Sequence, residues 1–160
     1  MKVYHELNPV FYPDSKILIL GSIPSVKSRE LGFYYMHPKN RFWKVLEGVF
    51  NESIRDKKKF CLKKQIALWD TCASCEINSS SDASIKNIVP NDLSIILNKA
   101  DIKAIITTGK KAHQIYQKYL YPKYQIEDIS LPSTSPANAK VSLEDLIKEY
   151  QVIKEILERI

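Results

Sequence analysis

Twelve consecutive positions, Gly32-Phe33-Tyr34-Tyr35-Met36-His37-Pro38-Lys39-Asn40-Arg41-Phe42-Trp43, hold five aromatic rings, a histidine, an asparagine and two cations. Aromatics interleaved with cations are what a base-stacking pocket beside a phosphate track requires. Phe42 and Trp43 suit the buried face of a helix, whereas Tyr34, Tyr35 and His37 precede it, where core packing explains them less well. Asn40 fits two roles, a helix N-cap or a carboxamide presented to a substrate. A second segment, Leu131-Pro132-Ser133-Thr134-Ser135-Pro136-Ala137-Asn138-Ala139, combines two prolines with three hydroxyls and an amide. Proline stiffens a loop, and small hydroxyls let its backbone approach a phosphodiester closely. A plain surface turn is the competing reading of that segment.

Three further patterns invite other chemistry. Gly21-Ser22-Ile23-Pro24-Ser25-Val26-Lys27-Ser28 has the outline of a phosphate-binding loop. Such a loop needs a glycine where Val26 stands and an unbroken run of N–H donors, one of which Pro24 deletes. Cys72-Ala73-Ser74-Cys75 has the spacing of a redox pair, and with Cys61 and a histidine it has part of a zinc ligand set. No second CxxC accompanies it, and inert thiols are the simpler reading. Ser28 or Ser133 can be combined with His113 and Asp70 as a triad, but no GxSxG elbow supports it.

The elements that must position these residues follow from hydrophobic pattern. Lys16–Leu20, Gln65–Trp69, Lys103–Thr107 and Tyr124–Ile129 are predicted strands, the first three apolar on both faces as in a covered parallel sheet. Helices are predicted after Asn40, after Asn91, after Gly109 and from Ser142, where Asp145 nearly completes a capping box. Strand alternating with helix predicts an α/β chain: a three-layer α/β/α sandwich around a four-stranded, mostly parallel sheet, in one domain over 1–160. Ligands of such sheets bind beyond the strands' carboxyl ends, so the loops after Leu20, Trp69, Thr108 and Ile129 are where function is expected.

Composition agrees with this. The 160 residues are 44% hydrophobic and 26% charged, ordinary for a globular domain. No run approaches the ~20 apolar residues of a membrane helix. The N-terminus carries charge where a signal peptide needs an apolar stretch, and three cysteines suit a reducing, cytoplasmic setting. Net charge is +6, with residues 1–80 carrying 13 basic against 8 acidic side chains, which suits a polyanionic partner. The Lys57–Lys59 and Lys63–Lys64 runs are candidates for nonspecific attraction, or simply solvated charge.

Taken together, the loops resemble the uracil-DNA glycosylase superfamily, and most closely its hypoxanthine-DNA glycosylase branch. The matching residues are GSIPS at 21–25, YYMHPKNRFW at 34–43, LWD at 68–70, SDASIKNIVPND at 81–92, TTGKKA at 107–112 and LPSTSPANA at 131–139. The resemblance implies a monofunctional enzyme that flips a deaminated base out of DNA and hydrolyses its N-glycosidic bond. Hypoxanthine is the leading substrate, with uracil and xanthine open. It implies no cofactor and no metal, DNA as partner (double-stranded, with single strands open), no membrane, and a monomer.

Many relatives place Asp or Asn just before the proline of the first loop, where Ile23 stands here, and classical uracil enzymes begin the second loop with histidine, where Leu131 stands. Neither aliphatic side chain transfers a proton, a loss shared by the hypoxanthine branch. The resemblance therefore makes Asn40 the expected catalytic group, its carbonyl orienting water or its amide holding the departing purine. Gly21, Ser22, Ile23, Pro24, Tyr34, Tyr35 and His37 are expected to form the base pocket, with a tyrosine stacking on the flipped base. His37 is open to a structural reading as well. Ser25, Lys27, Lys39, Lys110, Ser133, Ser135 and Asn138 are expected to grip DNA. Two other functions remain open at the level of sequence: a noncatalytic binder of damaged DNA, and a Cys72/Cys75 thiol oxidoreductase.

Overall fold

The structure is a computed structural model that describes residues 2–77 and 85–160, so the first four residues of the 81–92 segment lie outside the described residues. The main sheet joins β2 (Ile17–Gly21), β3 (Ile66–Asp70), β6 (Ala104–Thr108) and β7 (Asp128–Leu131) in the order β3-β2-β6-β7, every pair parallel. Ile17, Leu18, Ile19 and Leu20 have no exposed surface, so both faces of the central strand are covered. Consecutive buried aliphatics with no alternation are what that double coverage demands. Helices α2 (Phe42–Phe50), α3 (Lys57–Lys63), α5 (Lys110–Ile115) and α7 (Leu143–Arg159) flank the sheet, as the expected α/β sandwich requires.

The first three predicted strands begin and end one residue late and are otherwise as expected. The fourth begins later than predicted because Tyr124 belongs to a helix. The helical path runs through α5, a wider i→i+5 turn at Tyr116–Leu120 and α6 (Tyr121–Tyr124), and ends where Gln125 turns left-handed at φ 58°. Ser142 caps α7 as predicted, accepting the Asp145 N–H at 3.1 Å. Asn91 is no cap. Its buried amide donates to the carbonyls of Asp70 and Cys72, and the short α4 (Ser94–Leu97) starts from Leu93, with the Asp92 carboxylate accepting the Ser94 N–H.

A second, antiparallel sheet of β1 (Lys2–Tyr4), β4 (Cys72–Glu76) and β5 (Lys86–Pro90), in the order β1-β4-β5, carries a minor core of Val3, Cys75 and Ile85. It extends the chain beyond the carboxyl end of β3. Among the described residues, no helix is long and apolar enough to cross a membrane.

Candidate active site

Strand order reverses direction at β2: the chain goes to β3 on one side, then to β6 on the other. The crevice between the carboxyl ends of β2 and β6 is the place where such sheets bind ligands. Gly21 ends β2 there. A Cβ on it would stand 2.5 Å from Asp70 Oδ1, 3.4 Å from the Tyr35 hydroxyl and 3.7 Å from Thr108 Oγ1, so a glycine is what lets these groups converge. The Tyr35 and Thr108 hydroxyls share a hydrogen bond of 3.1 Å. Tyr35 sits at φ 57°, a left-handed conformation uncommon for a large side chain, and its ring stacks on Phe42 with centroids 3.8 Å apart. Strain of that kind persists where surrounding contacts over-determine it. Burial, and then the Asp70 carboxylate, hold its phenol well above the ordinary value, so it stays protonated.

Tyr34 points the other way. It is buried, donates to the Asn8 carbonyl at 2.8 Å and packs its ring near Phe33 and His5. It is a core residue, which leaves Tyr35 as the tyrosine of the pair at the crevice. Ser22 and Pro24 are buried in the first loop, where the Ser22 carbonyl accepts from Cys72 N and Thr71 Oγ1. Ile23 packs against the minor core. Leu131 is buried too, so both aliphatic replacements fill hydrophobic space.

The aromatic–cationic segment is braced from below. Ser25 caps α1 (Val26–Leu31) by accepting the Ser28 N–H, and buried Ser28 in turn accepts the Met36 N–H at 2.8 Å. The Ser25 hydroxyl, expected on the DNA, is therefore engaged as a cap. His37 Nδ1 accepts the Lys39 N–H at 3.1 Å, so a neutral ring carries its proton on Nε2. Lys39 and Lys110 are exposed, and exposed Lys27 lies 3.9 Å from Glu30.

Asn40 Oδ1 accepts the Phe42 N–H at 2.9 Å and the Thr134 hydroxyl at 2.8 Å. A backbone N–H can only donate, so the atom it meets is the carbonyl oxygen. Arg41, and not Asn40, is the N-cap of α2; Asn40 stands one residue before it, and its oxygen joins the first N–H of the helix to the second loop. Two donors thus meet this oxygen, and among the described residues the NH2 makes no hydrogen bond.

The 131–141 loop is shaped from within. Ser133 Oγ accepts from Ser135 N, Ser135 Oγ accepts from Ala137 N, and the Asn138 amide donates to the Ser133 carbonyl. Arg41 ties this loop to α2, its guanidinium donating to the carbonyls of Val141 at 2.5 Å and Asn138 at 3.0 Å, and its backbone N–H to Thr134 O. Gly109, at φ 96°, allows Ser133 to come within 3.1 Å of where its Cβ would be.

Thr134, Arg41 and a buried His5–Asp70 pair are the site residues that sequence reasoning missed. His5 Nε2 meets Asp70 Oδ2 at 2.8 Å, with side chains 1% and 5% exposed. His113 instead pairs with Asp128 at 2.7 Å, so the triad through His113 and Asp70 does not assemble. Cys61, Cys72 and Cys75 are all buried, and none of them forms a disulfide. Burial pushes Cys75 up, the opposite of an activated thiol. Among the described residues, no group of three or more His, Cys, Asp or Glu could hold a metal ion. Lys63 and Lys64 both pair with Glu52 just before β3, at the amino end of the sheet and away from the crevice.

Known proteins resemble this chain in sequence and fold. The sequence profile of the uracil DNA glycosylase superfamily matches residues 9–160. A hypoxanthine DNA glycosylase of Methanosarcina acetivorans is 32% identical over 135 residues, spanning 81% of this chain and 84% of that protein. Another of that name from Methanosarcina barkeri is 31% identical over 110 residues, spanning 65% and 70%. A solution NMR structure of a candidate uracil DNA glycosylase from Methanosarcina acetivorans superposes with a TM-score of 0.78 at 28% identity, covering 96% of this chain and 99% of that one. With a parallel sheet, a crevice at its switch point and a match spanning most of its length, this chain belongs to the uracil DNA glycosylase superfamily.

Proposed function

We propose that this member of the superfamily excises hypoxanthine from DNA, with the Asn40 NH2 as the group that touches the departing base. The observation that carries the proposal is the Asn40 carboxamide, whose oxygen is held by Phe42 and Thr134 and whose NH2 remains to donate. That assignment chooses between the two roles open for Asn40: a filled oxygen is poorly placed to orient water, and a free NH2 suits an acceptor that gains negative charge. Relatives named hypoxanthine DNA glycosylase support the choice of base.

The chemistry must run without a strong base beside the water, because an amide cannot take a proton at neutral pH. In the first step the C1′–N9 bond breaks and its electron pair leaves with the purine. The sugar becomes an oxocarbenium-like cation stabilised by neighbouring phosphates. Water then attacks C1′ and gives up a proton, which ends on the released base. Hypoxanthine bears the negative charge better than adenine because its lactam delocalises it. Donors already aimed at that charge stabilise the transition state more than the ground state. This reading assigns that part to Asn40 Nδ2 and to His37 Nε2–H, supported by the bonds that occupy Asn40 Oδ1 and His37 Nδ1. Tyr35, fixed on Phe42, supplies a rigid aromatic edge to the pocket. Flipping costs a few kcal/mol, least at a mismatched or damaged pair, which adds selectivity.

The experiment incubates purified protein, with EDTA present, against labelled duplexes carrying a single inosine, uracil or xanthine, and reveals abasic sites with alkali. Cleavage is expected at inosine above the others, and Asn40→Ala should lower it by about 100-fold or more while duplex binding persists. Tight binding to inosine duplexes with no base released would favour a noncatalytic binder. Uracil leading would keep the reaction and overturn the substrate.

A further inference from the structure

We infer that Thr134 is a positioning residue that sets the orientation and donor strength of the Asn40 carboxamide, and that Arg41 holds Thr134 in place for it. The inference rests on the reading of Asn40 as the group that meets the base. The two residues are 94 apart in sequence, on different loops, and meet through a 2.8 Å hydrogen bond. Thr134 is 1% exposed, although its neighbours Ser133 and Ser135 are only half-buried. Its hydroxyl is therefore directed inward, at Asn40, and not at a phosphate.

Two donors converge on one carbonyl oxygen. The Phe42 N–H alone fixes where the oxygen lies, but a single hydrogen bond leaves the amide plane free to rock about it. The Thr134 hydroxyl arrives from the other loop and fixes the plane, and with it the direction of both Nδ2–H bonds. It also draws electron density toward the oxygen, which strengthens the N–H bonds as donors, as linked hydrogen bonds polarise one another. Arg41 makes the arrangement stiff. Its N–H holds Thr134 O at 3.1 Å, and its guanidinium holds the carbonyls of Asn138 and Val141 on the far side of the same loop. Tyr150, from α7, pins the near side by donating to the Pro132 carbonyl at 2.5 Å.

Substitutions at Thr134 separate this role from simple packing. Thr134→Val keeps the shape and removes the hydroxyl; Thr134→Ser keeps the hydroxyl and removes a methyl group. A positioning role predicts that Val is the worse variant and a packing role predicts that Ser is. Single-turnover excision at saturating enzyme should fall about tenfold in Thr134→Val, the worth of one ordinary hydrogen bond, and stay within about threefold of wild type in Thr134→Ser. KM and affinity for an abasic duplex should be unchanged in both. Thr134→Val at the wild-type rate, or Thr134→Ser the slower of the two, would overturn the inference.

A second readout is independent of turnover. In a 15N-labelled sample the Asn40 side-chain NH2 signals, assigned by their loss in Asn40→Asp, should shift in Thr134→Val and remain near their wild-type positions in Thr134→Ser. Unmoved signals in a folded Thr134→Val protein would contradict the positioning role. If wild type releases no base from any duplex, the proposed function fails, whereas the NH2 signals still decide whether Thr134 orients Asn40.

Discussion

Asn40 and its neighbours show how much a single oxygen can organise. One side chain accepts the first N–H of α2 and the Thr134 hydroxyl of the second loop on the same oxygen. The sequence displays part of this: an asparagine before an apolar helix face announces the start of a helix, and its aromatic and cationic company announces a nucleic acid. Thr134 and His5 do not announce themselves, because their partners lie 94 and 65 residues away and no local periodicity encodes such pairs. Tyr34 and Tyr35 are likewise indistinguishable as adjacent letters. Only the left-handed turn at Tyr35 sends one inward and leaves the other at the crevice. The cysteines are also decided at this scale. Burial pushes the Cys61 thiol up to about 12, and Cys72 and Cys75 have no exposed surface. A thiol reacts as its thiolate, so the native protein at pH 8 should give almost no colour with Ellman's reagent, and the urea-unfolded chain should titrate all 3 cysteines. Rapid labelling of the native Cys72–Cys75 pair would reopen the redox reading.

At the scale of elements, the three buried strands β2, β3 and β6 were readable because uninterrupted apolar runs flanked by turn residues have few other uses. Strand β7 reads DISL, is only partly buried and starts later than the pattern predicts. The small antiparallel sheet was not readable. Its strands read KVY, CASCE and KNIVP, short and half polar, and they are held by pairing across long sequence gaps. The α2–α7 pairing was invisible for a related reason, since its key residue is a glycine within a helix. A Cβ on Gly48 would overlap the Ile147 side chain, so this glycine lets α7 lie close against α2, the helix that begins just after Asn40. Helix propensity alone predicts that Gly48→Ala stabilises by up to about 1 kcal/mol. Overpacking predicts a loss of about 1–3 kcal/mol, and the overlap with a branched side chain makes the loss the expected sign. The urea midpoint measures it: a lower midpoint supports this packing, and a higher one contradicts it.

For the molecule as a whole, the net charge of +6 favours DNA, but its distribution matters more than its sum. Lys63 and Lys64 pair with Glu52 at the amino end of the sheet, whereas Lys39 stands exposed on the loop before α2 and Lys110 is exposed at the start of α5, just past the carboxyl end of β6. Charge reversal should therefore discriminate. Lys39→Glu and Lys110→Glu should each weaken duplex binding by about fivefold or more at 50 mM salt and flatten its salt dependence, since each phosphate deprived of its lysine lowers the slope by about one unit. Lys63→Glu should leave binding nearly unchanged. Equal losses at both ends would mean that the DNA track does not follow the crevice.

The claim on which the rest depends is that the crevice between β2 and β6 breaks a glycosidic bond at a deaminated purine through Asn40. The most direct measurement is single-turnover release of hypoxanthine from an inosine duplex, with EDTA present, by wild type and Asn40→Ala side by side. The account predicts abasic sites with wild type, faster than at uracil, and a loss of about 100-fold or more in the variant with duplex binding retained. Equal turnover by the two proteins, or no base released by either, would contradict it.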